Sequence, residues 1–158
     1  MLETIIRVGI NFSTTEVIDV NIISEMLQLR PSEAWKKGDI RPKDFCIRED
    51  ATQEQRNEIL SSQPLETVYR RHSNWSFDLD DDHSLDLNDS FEKLRVVLED
   101  KIDDIMNVNK MFDITPSLVA VIEIASEEER PGLYLEQPFI SFANKINANI
   151  VIDWYFMY

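Results

Sequence analysis

Apolar residues alternate with others from the start of the chain. Ile6, Val8, Ile10 and Phe12 are spaced by two, with Ile5, Arg7, Gly9 and Asn11 between them. Successive side chains of a strand point to opposite sides, so this period predicts a strand with one buried face. Ser13-Thr14-Thr15 reads as its end. The period then changes to that of a helix, with Ile22, Ile23, Met26 and Leu27 on one side. Asp19 stands where a side-chain oxygen can accept from a free N–H of the first turn, and Pro31 closes the helix. Trp75, Phe77 and Leu79 alternate with Ser76 and Asp78, which predicts a second strand. The longest helix is predicted over 90–111, capped by Ser90, with a stripe of Phe91, Leu94, Val97 or Leu98, Ile102, Ile105 and Val108. Leu118, Ala120, Ile122 and Ile124 mark a third strand, and 133–135 reads as a short return strand. Pro138 suits the first turn of another helix, whose buried side would be Phe139, Phe142, Ala143 and Ile146. Ile150, Ile152, Trp154, Phe156 and Tyr158 predict a final strand.

Residues 40–66 are polar and poor in periodicity, and read as a surface insertion. A short helix is predicted over 52–60, with Thr52 as cap and Pro64 closing it. The chain is therefore read as a single domain over 1–158. Its strands alternate in polarity, which suits a sheet covered on one face better than a fully buried parallel sheet. The predicted fold class is α+β: a four- to five-stranded, largely antiparallel sheet with helices packed mainly on one face. A doubly wound α/β fold is the alternative, because strands and helices also alternate in order.

Charge narrows the partners. Sixteen Lys and Arg stand against thirty Asp and Glu, a formal net charge of −14. Nucleic acid and anionic membrane surfaces both require clustered cations, so neither is an expected partner. The acidic balance serves solubility and would also draw a basic protein. Cys46 is the single cysteine, so no internal disulfide forms. The first residues carry no basic stretch followed by an apolar run, and no apolar run reaches the roughly 20 residues of a membrane span. The expected compartment is the cytoplasm.

Little in the sequence points to catalysis. Gly9, Gly38 and Gly132 are the only glycines and lie far apart, so no phosphate-binding glycine loop exists and no cofactor is predicted. Asp78, Asp80 and Asp82 occupy alternate positions as in a calcium loop, with Asp86 further on. His83 stands where that turn needs Gly, and Asp89 where a bidentate Glu belongs, so no metal is expected there. The acidic loop then reads as a solvated turn before a helix whose N-terminus favours carboxylates. Cys46, His72 and His83 show no zinc spacing and no nucleophile pattern. Trp35-Lys36-Lys37-Gly38-Asp39 reads as a loop turning at Gly38, with an aromatic ring, two cations and a carboxylate able to bind a ligand. The competing reading tucks Trp35 under the core edge and leaves the lysines in water. The second sheet face carries Val119, Val121, Val151, Tyr155 and Met157, and either the insertion covers it or it is an interface.

These pieces resemble the bacterial domain of unknown function family DUF4279. The resemblance is carried by the early strand leading into Asp19-Val20-Asn21-Ile22-Ile23-Ser24-Glu25-Met26-Leu27 with Pro31 after it, by Trp35-Lys36-Lys37-Gly38-Asp39, by Asn74-Trp75-Ser76-Phe77, and by the closing stretches from Pro131-Gly132-Leu133 to Ile152-Asp153-Trp154. It implies a small bacterial α+β domain and no activity. The expected function is a non-enzymatic protein-binding module, immunity- or antitoxin-like, that takes a basic protein or self-associates through its exposed sheet face. The alternative is a small-molecule-binding domain or small enzyme, in which Trp35, Lys37, Gly38 and Asp39 form the site and Trp75 stacks on the ligand.

Overall fold

The computed structural model describes residues 3–40, 52–62, 69–126 and 129–157. Strand β1 (Ile5–Thr14) buries Ile6, Val8, Ile10 and Phe12 on one face, as its alternation requires. Helix α1 (Val20–Leu27) starts where Asp19 accepts from the Asn21 N–H at 3.0 Å. Gln28, in the left-handed conformation at φ 51°, ends it. Ile23 and Leu27 are fully buried beneath it.

Strand β2 (Glu33–Trp35) lies where a loop is predicted to begin. Three residues are too few to display a period of two, so the pattern could not reveal it. Helix α2 (Gln53–Ser62) confirms Thr52 as a cap: its Oγ1 accepts from the Gln55 N–H, and the Gln55 side chain accepts from the Thr52 N–H. This reciprocal box satisfies two donors that the first turn leaves over. Residues 41–51 and 63–68, Cys46 and Pro64 included, lie outside the described residues.

Strand β3 is Ser73–Asp78. The helix predicted over 90–111 is two segments. Helix α3 (Leu87–Leu98) and helix α4 (Ile102–Phe112) are joined by a 3₁₀ turn at Glu99–Lys101. One tightened turn hardly disturbs apolar spacing, so the stripe looks continuous in the sequence. The cap is Asp86, which accepts from Asn88 N at 2.9 Å and Asp89 N at 3.2 Å. Ser90 lies inside the helix instead, and its hydroxyl donates to Asp82 at 3.0 Å.

Strand β4 (Ser117–Ile124) leads through helix α5 (Gln137–Lys145) to β5 (Asn149–Phe156). Residues 133–135 form no strand; only Gly132 bridges to Asp86. The sheet order is β2-β3-β1-β4-β5. All neighbours run antiparallel except β4 and β5, which the α5 crossover makes parallel. The fold is α+β with a mostly antiparallel sheet, not doubly wound.

The core fills the space between one sheet face and α1, α3, α4 and α5. Ile6, Ile10, Phe12, Trp75, Leu118, Ala120 and Ile122 come from the sheet, and Leu27, Leu94, Ile105 and Phe139 from the helices, all fully buried. Phe91 and Phe139 stack with ring centroids 4.3 Å apart, joining α3 to α5. Each such aliphatic or aromatic side chain contributes roughly 1.5–3 kcal/mol on leaving water.

Candidate functional site

The sheet face turned away from this core is polar around β1 and β3. Cross-strand register places Arg7, Gly9 and Asn11 there, with Asn74, Ser76 and Asp78 from β3 and Glu33 and Trp35 from β2. At one end of this face is an open cleft of about 620 Å³ lined by Arg7, Ser32, Glu33, Asp78, Leu79, Asp80 and Asp81. Each residue has a local reason for its position. Gly9 lets β3 approach closely, because a Cβ there would lie 2.5 Å from the Phe77 carbonyl oxygen. Ser32, just ahead of β2, accepts from the Asp78 N–H at 2.8 Å and donates its own N–H to the Ser76 carbonyl at 2.8 Å. These bonds tie β2 to β3 and bring Glu33 beside Asp78.

Electrostatics in the cleft are unbalanced. Among the described residues that line it, Glu33, Asp78, Asp80 and Asp81 stand against one cation, Arg7, whose guanidinium is already held by Asp81 at 2.7 Å. Burial pushes the Asp78 carboxyl above the usual carboxylate range, and the Glu33 charge pushes it the same way. Arg7 and the Ser32 hydroxyl only partly offset them.

Asp82 behaves oppositely. Its backbone pairs with Ile6, at 2.8 and 2.9 Å, and its carboxylate turns toward α3. Burial alone would raise its pKa, but hydrogen bonds from Lys93 at 2.7 Å, the Ser84 N–H at 2.9 Å and the Ser90 hydroxyl at 3.0 Å hold it down to about 2. The calcium-like spacing therefore does not gather its carboxylates: Asp78 lies on the open face, and Asp82 is committed to Lys93. Among the described residues, no group of three or more His, Cys, Asp or Glu could hold a metal ion.

The Trp35–Asp39 stretch is an internally bonded turn. The Asp39 carboxylate accepts from Lys36 N at 2.7 Å, and the Asp39 N–H returns to the Lys36 carbonyl at 3.0 Å. Gly38, at φ 93°, occupies a conformation that L side chains rarely adopt, and its N–H reaches the Arg70 carbonyl at 2.9 Å. Lys37 donates its N–H to Ser73 Oγ at 2.9 Å and its ammonium to the Thr15 carbonyl at 2.6 Å. Trp35 is half-buried under the Arg70 guanidinium, 4.0 Å from its ring centroid, and against the edge of His72. Its indole N–H is buried with no hydrogen-bond partner among the described residues.

Trp75 is not beside it. Ala34, not Trp35, is the cross-strand partner of Trp75, so the two rings lie on opposite faces of the sheet. Trp75 is fully buried in the core, edge-on to Phe12, and donates its indole N–H to Ser24 Oγ at 2.8 Å. The sequence-predicted site residues Trp35, Lys37, Gly38 and Asp39 thus come together, and Trp75 stands apart. Sequence reasoning missed Arg7, Ser32 and Glu33; the signal that could have found the cleft is Gly9, a glycine inside a strongly apolar strand.

Among the described residues, no helix is long and apolar enough to cross a membrane. No curated protein and no solved structure matches the chain. A family model described as a domain of unknown function matches residues 7–157, nearly the whole chain, and the chain belongs to that family, DUF4279.

Proposed function

We propose that this DUF4279 domain is a non-enzymatic protein-binding module that takes a basic partner in the cleft formed by β1, β2 and the end of β3. The charge of the cleft carries this reading: among the described residues that line it, four carboxylates stand against one guanidinium, which Asp81 already holds, and burial together with the Glu33 charge keeps the Asp78 pKa raised despite Arg7. A lysine or arginine side chain entering the cleft supplies that charge. The net charge of −14 adds a long-range field that speeds encounter with such a partner. In its concrete form, the domain masks a basic toxin enzyme in the bacterial cytoplasm, as an immunity or antitoxin protein does.

The test is capture of partners from lysate of the source organism on the tagged chain, with elution by a salt step. A stoichiometric basic protein is expected, and the paired substitutions Glu33→Gln and Asp80→Asn should lose it. Failure to capture a basic protein, or capture unchanged by the substitutions, overturns the reading. The alternative, a small molecule held by the Trp35–Asp39 turn, has the unpartnered Trp35 indole N–H in its favour. It stands second because the Asp39 carboxylate, the Lys36 and Lys37 amides and the Lys37 ammonium are taken up within the turn or by Ser73 and Thr15, and Trp75 lies across the sheet.

A further inference from the structure

One wall of the cleft is set from the other side of the sheet. Gly9 faces Asp78, and pairing resumes where Ile6 faces Asp82, the two exchanging backbone bonds at 2.8 and 2.9 Å. Between these pairs β1 advances by three residues and the facing chain by four. The extra residue is a bulge within 79–81, and a bulge re-aims the side chains around it. Residues directly opposite share a face, so Asp82 points with the buried Ile6 toward the helices. In unbroken register Asp81 would stand there instead, and the cleft would lose the carboxylate that holds Arg7.

We propose that Lys93, on α3 and outside the lining of the cleft, is a positioning residue for it: with Ser90 it anchors Asp82, and so holds the bulge that gives Asp80 and Asp81 to the cleft wall. This role rests on the reading of the cleft as a site for a basic partner. Leu79, Asp80 and Asp81 line the cleft and also a cavity of about 310 Å³ on the α3 side, where Val8, Asp82, Ser90 and Lys93 join them. The segment is a partition with a hollow on each side, and Asp80 and Asp81 are exposed. Packing does little to hold such a segment, so its hydrogen bonds fix it. At one end Leu79 N bonds the Val8 carbonyl at 2.9 Å. At the other the Asp82 carboxylate accepts from Lys93 at 2.7 Å, the Ser90 hydroxyl at 3.0 Å and the Ser84 N–H at 2.9 Å. Ser90 is buried in α3, and Lys93 is steadied one turn on by Asp89 at 3.0 Å.

Position and field act in opposite directions here. Lys93→Met removes a positive charge from an acidic chain, so the field alone would tighten the binding of a cation. Loss of the anchor frees Asp82 and the bulge, and loosens it. Ser90→Ala removes a bond to the same carboxylate without changing any charge.

Titration calorimetry of the full chain with a blocked tetra-arginine peptide at low salt tests it. Lys93→Met should bind the peptide about 3-fold or more weakly, and Lys93→Arg should bind it as the wild type does. Ser90→Ala should weaken binding in the same direction. Lys110→Met, at an exposed lysine of α4, removes the same charge and should not weaken it. Hydrogen exchange should be faster at the Leu79 and Asp82 amides of Lys93→Met and unchanged in the paired core of β1 and β4. A wild-type chain that takes up no peptide overturns the reading of the cleft itself, and this role with it. Where the wild type binds, a Lys93→Met variant that binds equally well or better overturns the role of Lys93 alone, as do unchanged Leu79 and Asp82 amides.

Discussion

Gly9→Ala is the most direct probe of how the cleft is built. An added Cβ would lie 2.5 Å from the Phe77 carbonyl oxygen and 3.0 Å from Asp78 Cα, and would also strike the Asp78 carboxylate. An ordinary C···O contact is about 3.3 Å or more. The carboxylate can swing aside, but the Phe77 carbonyl cannot, because Leu79 N bonds the Val8 carbonyl at 2.9 Å and fixes β3 beside β1. The strands must part by several tenths of an ångström, and overpacking of this kind costs about 1–3 kcal/mol. Replacing Gly also removes freedom from the unfolded chain, which returns about 0.4–1 kcal/mol. The net expectation is a loss of roughly 1–2 kcal/mol. Urea titration should show a midpoint lowered by roughly 0.5–1 M with an unchanged slope. In an Asp78→Ala background the carboxylate contact is gone but the carbonyl contact stays, so Gly9→Ala should still destabilise, by less. A neutral or stabilised Gly9→Ala variant would refute the close approach of β1 and β3.

Three further outcomes follow from the same geometry. The Asp82 carboxyl, 18% exposed and held at about 2 in the fold, lies below its unfolded value of about 3.9. Its contribution, roughly 2 kcal/mol, is complete above the unfolded pKa and is lost as pH falls through about 2. Asp82→Asn should therefore lower the urea midpoint at pH 7, and the difference from wild type should close toward pH 2. Trp75→Phe removes the bond to Ser24 and leaves a void beside Phe12, so it should cost about 1–3 kcal/mol in the same titration. Asp39→Ala takes the acceptor from Lys36 N, and the Gly38 and Arg70 amides should then exchange faster while the core amides do not change.

Much of the fold was legible because its faces are chemically distinct. The alternation through Ile6 to Phe12 and Leu118 to Ile124 reports burial on one side only, and the structure has that side against helices. Asp19 and Thr52 were readable as caps because their chemistry is local. Ser90 misled because Asp86, a better-placed acceptor, stands four residues earlier and Leu87 carries the buried stripe back with it. The cleft was hidden for another reason. Arg7, Glu33 and Asp78 come from three strands, and sequence alone does not give the register that sets them on one face. The Trp35–Asp39 turn was visible as a unit, but not its inward bonding, since its partners Arg70 and Ser73 lie beyond the insertion. The same missing register concealed that Trp35 and Trp75 face opposite ways.

The central position of β1 sets a timetable for synthesis. It precedes both its neighbours in the chain by a wide margin: Phe12 pairs with Trp75, and Ile6 with Ile122. At ribosomal speeds the second partner arrives on the order of 10 s after the strand itself. Until β3 is made this apolar strand has both edges open, and until β4 is made it still has one, the condition in which chains aggregate. Newborn chains of this protein should therefore lean on a chaperone that shields β1, and β4, once made, is the segment that releases them.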